Sequence, residues 1–169
     1  MKTILKIVLL GLFAAVIFLP SEQFPSWAYW SLFVCMFIVL IIYYYTSYWV
    51  SAADVLSTDS DPIKFSVFAG KVPPLSSEDL VRGRLVVTDT EVRLYQRPNR
   101  KSSNIRAREV WKVAISSLDG FTLGRVIGMR NGLILSLTHG DEARFAIFFM
   151  KKRKADLITA LGWDDIQSK

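Results

Sequence analysis

The spacing of hydrophobic positions changes twice along this chain. From Ile4 to Leu19 and from Ser26 to Val50 apolar residues run almost without a break. Beyond residue 62 they alternate with polar ones, the period of a strand with one face buried. "IKFSVF" opens this region; "RLVVT" places Leu85 and Val87 on one face, and "EVRLYQ" places Val92 and Leu94 on one face. "TDTE" between them supplies a tight turn. Trp111, Val113 and Ile115 alternate next, and "LDGFTLGRVIGM" carries three glycines suited to a bent or bulged strand. Asn131-Gly132 is a hairpin signal, and Leu133, Leu135 and Leu137 alternate after it. "HGDE" turns the chain again before Phe145, Ile147 and Phe149. The period then lengthens: Leu157, Ile158 and Leu161 stand at helical spacing, with Gly162 as the stop. About seven strands and one C-terminal helix are therefore expected. "IKFSVF" is followed by "AGKVPPLSSEDL", residues 69–80, whose two prolines forbid a continuous ladder and predict a loop.

Charge sharpens the division. The chain has 169 residues, is 51% hydrophobic and carries a net charge of +6. No charged residue occurs between Gln23 and Ala53, and all Lys and Arg except Lys2 and Lys6 lie beyond Ala53. The segment Ser26–Val50, at about 1.5 Å per residue, can cross a hydrocarbon core about 30 Å thick. Trp27, Tyr29 and Trp30 cluster at one end of it and Tyr43, Tyr44, Tyr45, Tyr48 and Trp49 at the other, as two membrane–water interfaces favour. The first stretch reads two ways: a retained span in which Lys6 snorkels, or the apolar region of a cleaved signal behind Lys2 and Lys6. "FLPSEQFP" lacks the small residues that cleavage prefers. In either case the positive-inside rule leaves the C-terminal region cytosolic, in a plasma or inner membrane. The expected organisation is a transmembrane region over 1–50 (spans about 4–19 and 26–50), a linker over 51–62 whose "SAADVLSTDSDP" is small, polar and acidic, and a domain over 63–169.

"GRLVVTDTEVRLYQ", "VWKVAISSLDGF" and "GLILSLTHGDEARFAIFF", followed by the closing helix, carry a resemblance to the pleckstrin-homology-like (PH-like) superfamily, specifically its GRAM and bacterial PH branches. They look like that group's G-x-L-x-x-T…L-x-x-Y hairpin, its apolar strand ending in an Ile-x-x-Leu corner, and its final hairpin plus helix. Val92, rather than leucine, stands three places before Tyr95. The resemblance spans roughly Ile63 to Trp163 and implies a mainly β PH-like barrel of about seven strands, anchored to a membrane by the N-terminal helices. It also implies that the loops at 71–80, 97–107 and 139–142 gather at one end, where phosphoinositide-binding members hold headgroups. Lys71, then ten residues, then Arg82 and Arg84 looks like the basic signature of those members.

Catalytic chemistry is not expected. His139 is the sole histidine and sits in a turn signal, Cys35 is the sole cysteine and lies in the uncharged stretch, and no phosphate-binding glycine motif occurs. Glu78-Asp79 and Asp164-Asp165 are adjacent pairs, which do not face each other on a helix or strand. No cofactor and no metal are called for. An anionic partner is worth weighing, because "YQRPNRKSSNIRAR" holds Arg97, Arg100, Lys101, Arg106 and Arg108 without an acid, and "KKRK" follows at Lys151–Lys154. Nucleic acid is set aside, since Tyr95 is the one aromatic beside the main cluster and the domain is tied to a bilayer. A solvated hairpin loop explains the run most simply; anionic lipid and a protein partner are the functional alternatives. The expected role is a non-catalytic adaptor for a protein partner or membrane complex, with anionic lipid headgroups as the alternative ligand at Lys71, Arg82, Arg84, Arg97, Arg100, Lys101, Arg106 and Arg108.

Overall fold

The computed structural model describes residues 2–18, 25–59, 61–73, 79–98, 106–148 and 150–162. The chain forms two compact units, 1–49 and 50–169.

The first unit is a pair of helices, α1 (Lys2–Phe18) and α2 (Ser26–Tyr48). Pro25 precedes α2 in an extended conformation, and its carbonyl accepts from the Ala28 N–H at 2.9 Å. The two helices touch where the Tyr29 hydroxyl donates to the Val16 carbonyl at 3.4 Å. Large apolar side chains such as Ile7, Leu10, Phe13, Phe37 and Ile41 point outward, so neither helix has the polar stripe of a soluble surface helix. Two hydroxyls of α2 bond to their own helix: Thr46 Oγ1 donates to the Ile42 carbonyl at 2.8 Å, and Ser31 Oγ to that of Ala28 at 2.6 Å. Among the described residues α2 is the one helix long and apolar enough to cross a membrane; α1, with 17 residues, is shorter. The expected span to residue 50 ends two residues early, because Trp49 turns to an extended conformation and Val50 belongs to the second unit.

The second unit is a seven-stranded antiparallel sheet with a C-terminal helix. Its strands are β1 (Phe65–Lys71), β2 (Val81–Val87), β3 (Glu91–Gln96), β4 (Arg108–Ala114), β5 (Leu118–Ile127), β6 (Arg130–Leu137) and β7 (Glu142–Ile147). They lie in the order β4-β3-β2-β1-β7-β6-β5. Helix α4 (Met150–Leu161) follows, ending just before Gly162 as expected. Alternation sends Phe65, Leu85, Val87, Val92 and Leu94 from β1–β3, and Phe121, Leu133, Leu135, Phe145 and Ile147 from β5–β7, into one core that Leu157, Ala160 and Leu161 of α4 complete. The sheet thus folds over on itself. The barrel expected from the sequence is an open ladder, in which β4 and β5 are the two edges, joined by a 3-10 turn at Ile115–Ser117. This turn holds Ile115 and leads into Leu118, the Ile-x-x-Leu pattern expected to form a corner.

Three boundaries differ from expectation. β1 runs on through Ala69, Gly70 and Lys71 because β2 and β7 both pair with those residues. The β5–β6 turn falls at Gly128-Met129, with Gly128 at a φ of +53°, rather than at Asn131-Gly132. Gly132 instead pairs with Gly124 inside the sheet, where a Cβ would stand 1.8 Å from the Phe145 carbonyl oxygen. The third is the stretch 51–62, expected as a linker. It carries a short helix, α3 (Ala52–Leu56), capped by a reciprocal Ser51–Asp54 pair, and its Val55 is buried.

Candidate functional site

The register of β3 sets up the first cluster. Val92 and Leu94 face the core, so Arg93 and Tyr95 must face outward beside Val86 of β2. The neck, residues 50–61, covers that outward face. Val50 and Val55 join Val86, Tyr95 and Ala107 in a second apolar cluster, against which Ile63 packs. Arg93, with 13% of its side chain exposed, ties the end of the neck down. Its guanidinium donates to Asp59, to Asp61 at 2.7 Å and to Glu91 at 2.7 Å, while the Tyr95 hydroxyl also donates to Asp59. Glu109 stands 4.0 Å away.

Asp59, Tyr95 and Arg93 are each shifted toward the state that holds this latch closed. The Tyr95 hydroxyl, and then Arg93, keep the Asp59 carboxyl below the usual carboxylate range against the opposing effect of burial. Burial and the Asp59 hydrogen bond push the Tyr95 phenol up to about 12. Burial disfavours the Arg93 cation, but its bonds to Tyr95, Glu91, Asp59 and Asp61 outweigh that and raise its pKa. No local pattern in the sequence marks this cluster, because its partners lie 32 to 36 positions apart.

The candidate basic residues fall into three places. Arg82 and Arg84 alternate with the core-facing Leu85 and so share the outward face of β2 with Val86. Lys71 lies on the opposite face, pairing with Phe145 and Val81. Its Nζ sits 5.8 Å from the centre of the Trp111 ring, which in turn meets Phe145 edge-on at 5.1 Å. The sheet therefore separates Lys71 from Arg82 and Arg84, and the sequence signature does not form one pocket. Arg97 follows β3, and Arg108 opens β4 opposite Gln96. Arg106 reaches to 3.9 Å from Asp54. Burial raises the Asp54 carboxyl, but the Ser51 hydroxyl and backbone N–H, then Arg106 and Arg97, hold it below its ordinary range. Arg100 and Lys101 lie outside the described residues.

Arg84 differs from the others. Its Nε and Nη1 are buried without a hydrogen-bond partner, and burial, together with nearby Arg153, lowers its pKa. A buried donor left unpaired costs about 1–3 kcal/mol, more when charged.

Antiparallel pairing puts the strand ends at Lys71, Val81, Gln96, Arg108 and Glu142 at one end of the sheet. The neck starts there, since Asp54 contacts Arg106. It reaches the other end where Asp59 and Asp61 meet Arg93 and Lys64 pairs with Asp89 at 2.6 Å. His139 lies in the β6–β7 turn, Cys35 is exposed on α2, and among the described residues no group of His, Cys, Asp and Glu converges for a metal ion.

No protein-family model matches this chain, and no curated protein matches it. Among solved structures it is similar to the C-terminal domain of an unknown protein from Leishmania infantum, with 11% identity, a TM-score of 0.45, and coverage of 64% of this chain and 92% of that one. It is also similar to the N-terminal PH domain of human ARAP2, with 15% identity, a TM-score of 0.41, and coverage of 62% of this chain and 84% of that one.

Proposed function

We propose that this chain is a non-catalytic membrane adaptor: α2, with α1 beside it, anchors a PH-like domain of the GRAM or bacterial PH type that holds a protein partner at the cytosolic face of a plasma or inner membrane. One observation supports it most. An uncharged helix of 23 residues with aromatic ends leads, through Trp49 alone, into a neck that is folded onto its domain. A loose tether would let the domain roam; a docked neck fixes which end of the sheet the chain enters. Cross-linking followed by purification of the full chain in mild detergent tests the proposal. A stoichiometric partner is expected, and recovery of the chain alone counts against it.

A second reading has its own support. The chain enters the domain at the end that carries Arg97 and Arg106, and a bilayer at that entry point would offer them anionic headgroups, at about 1 kcal/mol per basic residue. Sedimentation of the detergent-purified chain, reconstituted into nanodiscs, with vesicles of phosphatidylglycerol is its test. Replacing Arg97, Arg100, Lys101 and Arg106 by Ala should abolish co-sedimentation; unchanged sedimentation rules out this site.

A further inference from the structure

Three cations at the far end of the sheet have no acidic partner among the described residues. Arg125 near the end of β5, Arg130 at the start of β6 and Lys152 in the first turn of α4 are all exposed, and among the described residues no ion pair joins any of them. Some exposed Arg and Lys elsewhere in the domain do find acids: Arg144 pairs with Glu142 at 2.8 Å, Lys64 with Asp89 and Arg153 with Asp156 at 3.8 Å. Lys152 also sits at a helix N-terminus, where the helix dipole favours an anion over a cation.

Between these cations the surface is apolar. The hairpin tip presents Met129, 94% exposed, beside Ile127, 41% exposed, and the β7–α4 junction presents Phe148, 58% exposed. Next to them a cavity of about 420 Å³ opens, with Ile147, Phe148 and Met150 among its walls and Arg130 and Lys152 beside them. Among the described residues, none that lines it is acidic. This volume falls in the range of small-ligand pockets and admits one large side chain.

We propose that the β5–β6 tip and the β7–α4 junction form one docking surface for an acidic peptide segment of a partner protein, which seats an apolar anchor side chain in the cavity. The apolar wall supplies burial for the anchor, and Arg125, Arg130 and Lys152 supply charge complementarity around it. A protein is favoured over the bilayer by shape: the cavity is a concave seat for a single side chain, which a layer of headgroups does not supply. This surface rests on the adaptor reading and names the partner's chemistry.

The test is selection from a random twelve-residue peptide display library on the full chain in nanodiscs, followed by fluorescence anisotropy with the enriched peptides. Peptides with Asp or Glu flanking Leu, Phe or Trp are expected, with binding that weakens as salt rises. The double substitution Met129→Asp with Phe148→Asp, and separately Arg130→Glu with Lys152→Glu, should each lower affinity at least tenfold. The charge pair covers the case in which the apolar pair perturbs folding, which circular dichroism reports. The proposal is overturned by failure to enrich peptides, by enriched peptides without acidic residues, or by affinity unchanged in the charge-reversed chain. Displacement of the peptides by phosphatidylglycerol vesicles overturns it in favour of a membrane. If a partner still co-purifies with the charge-reversed chain, this surface is wrong while the adaptor reading stands. If the native chain is recovered alone, the adaptor reading fails instead.

Discussion

The outward face of β3 and the tip of the β5–β6 hairpin both display arginine next to apolar side chains, yet they are wired in opposite ways. On β3, Arg93 is mostly buried and donates to three carboxylates, and the apolar Val86 and Tyr95 beside it are covered by Val50 and Val55 of the neck. At the tip, Arg125 and Arg130 have no acidic partner among the described residues, and Ile127 and Met129 are exposed. Charge that is matched within the domain does structural work; charge and apolar surface left unmatched together are what a partner can use. The composition of the two regions is similar. Their difference lies in which residues the fold brings next to them.

Removing the matched charge should have the largest effect. Arg93→Ala leaves Asp59, Asp61 and Glu91 facing one another without their cation, and should destabilise the domain by about 2 kcal/mol, read as a lower Tm of the full chain in detergent. Limited proteolysis should then cut the neck near Asp59 and Asp61 faster than in the wild type. Loss of stability without new cleavage in the neck would mean that Arg93 supports the sheet rather than the latch.

Tyr95→Phe is a finer probe, expected to cost about 1 kcal/mol for the lost hydrogen bond to Asp59. It also separates the two pH limbs. Asp59 is depressed in the folded state, so its contribution is present above its ordinary value of 3.8 and is lost as pH falls through its lower folded value. Tyr95 is raised, so its contribution is present below its ordinary 10.0 and is lost as pH rises through about 12. The phenylalanine variant should lose the alkaline limb entirely and show a weaker acid limb, in thermal unfolding followed across pH. An alkaline limb of unchanged size would assign it to another group.

The smallest effect on stability should come from the tip. Met129→Asp changes a side chain that touches little, and should move stability by less than about 0.5 kcal/mol while binding of the acidic peptide falls. A large fall in Tm would show that the tip is part of the core's support and would erase the contrast with β3.

Much of the second unit was legible from alternation alone. Leu85, Val87, Val92, Leu94, Leu133, Leu135, Phe145 and Ile147 were placed by period two, and all of them are in the core. Each such assignment needs only neighbours in sequence. Asn131-Gly132 misled for a related reason: the dipeptide fits a hairpin turn, but Gly128 lies closer to the midpoint of the pairing, and Gly132 is needed where β6 approaches the Phe145 carbonyl. The neck was read as a linker because its residues are small and acidic, and that composition does not show that Asp59 and Asp61 have Arg93 as their partner. The candidate basic site was legible as a set of residues and not as a place. Lys71, Arg82 and Arg84 fit a spacing, while the parity of β1 and β2 puts them on opposite faces of the sheet.

By itself the sequence determined the uncharged helix of α2, the strand order along the chain, the inward face of each strand and the closing helix. All of these follow from the periodicity with which apolar side chains must leave water. Only the tertiary structure decided that the neck is docked, that Arg93 is shared among three acids, and that Arg130 and Lys152 line an open cavity without an acidic partner among the described residues. These are contacts between residues far apart in the chain. Their energies depend on distance and burial, which local spacing does not encode.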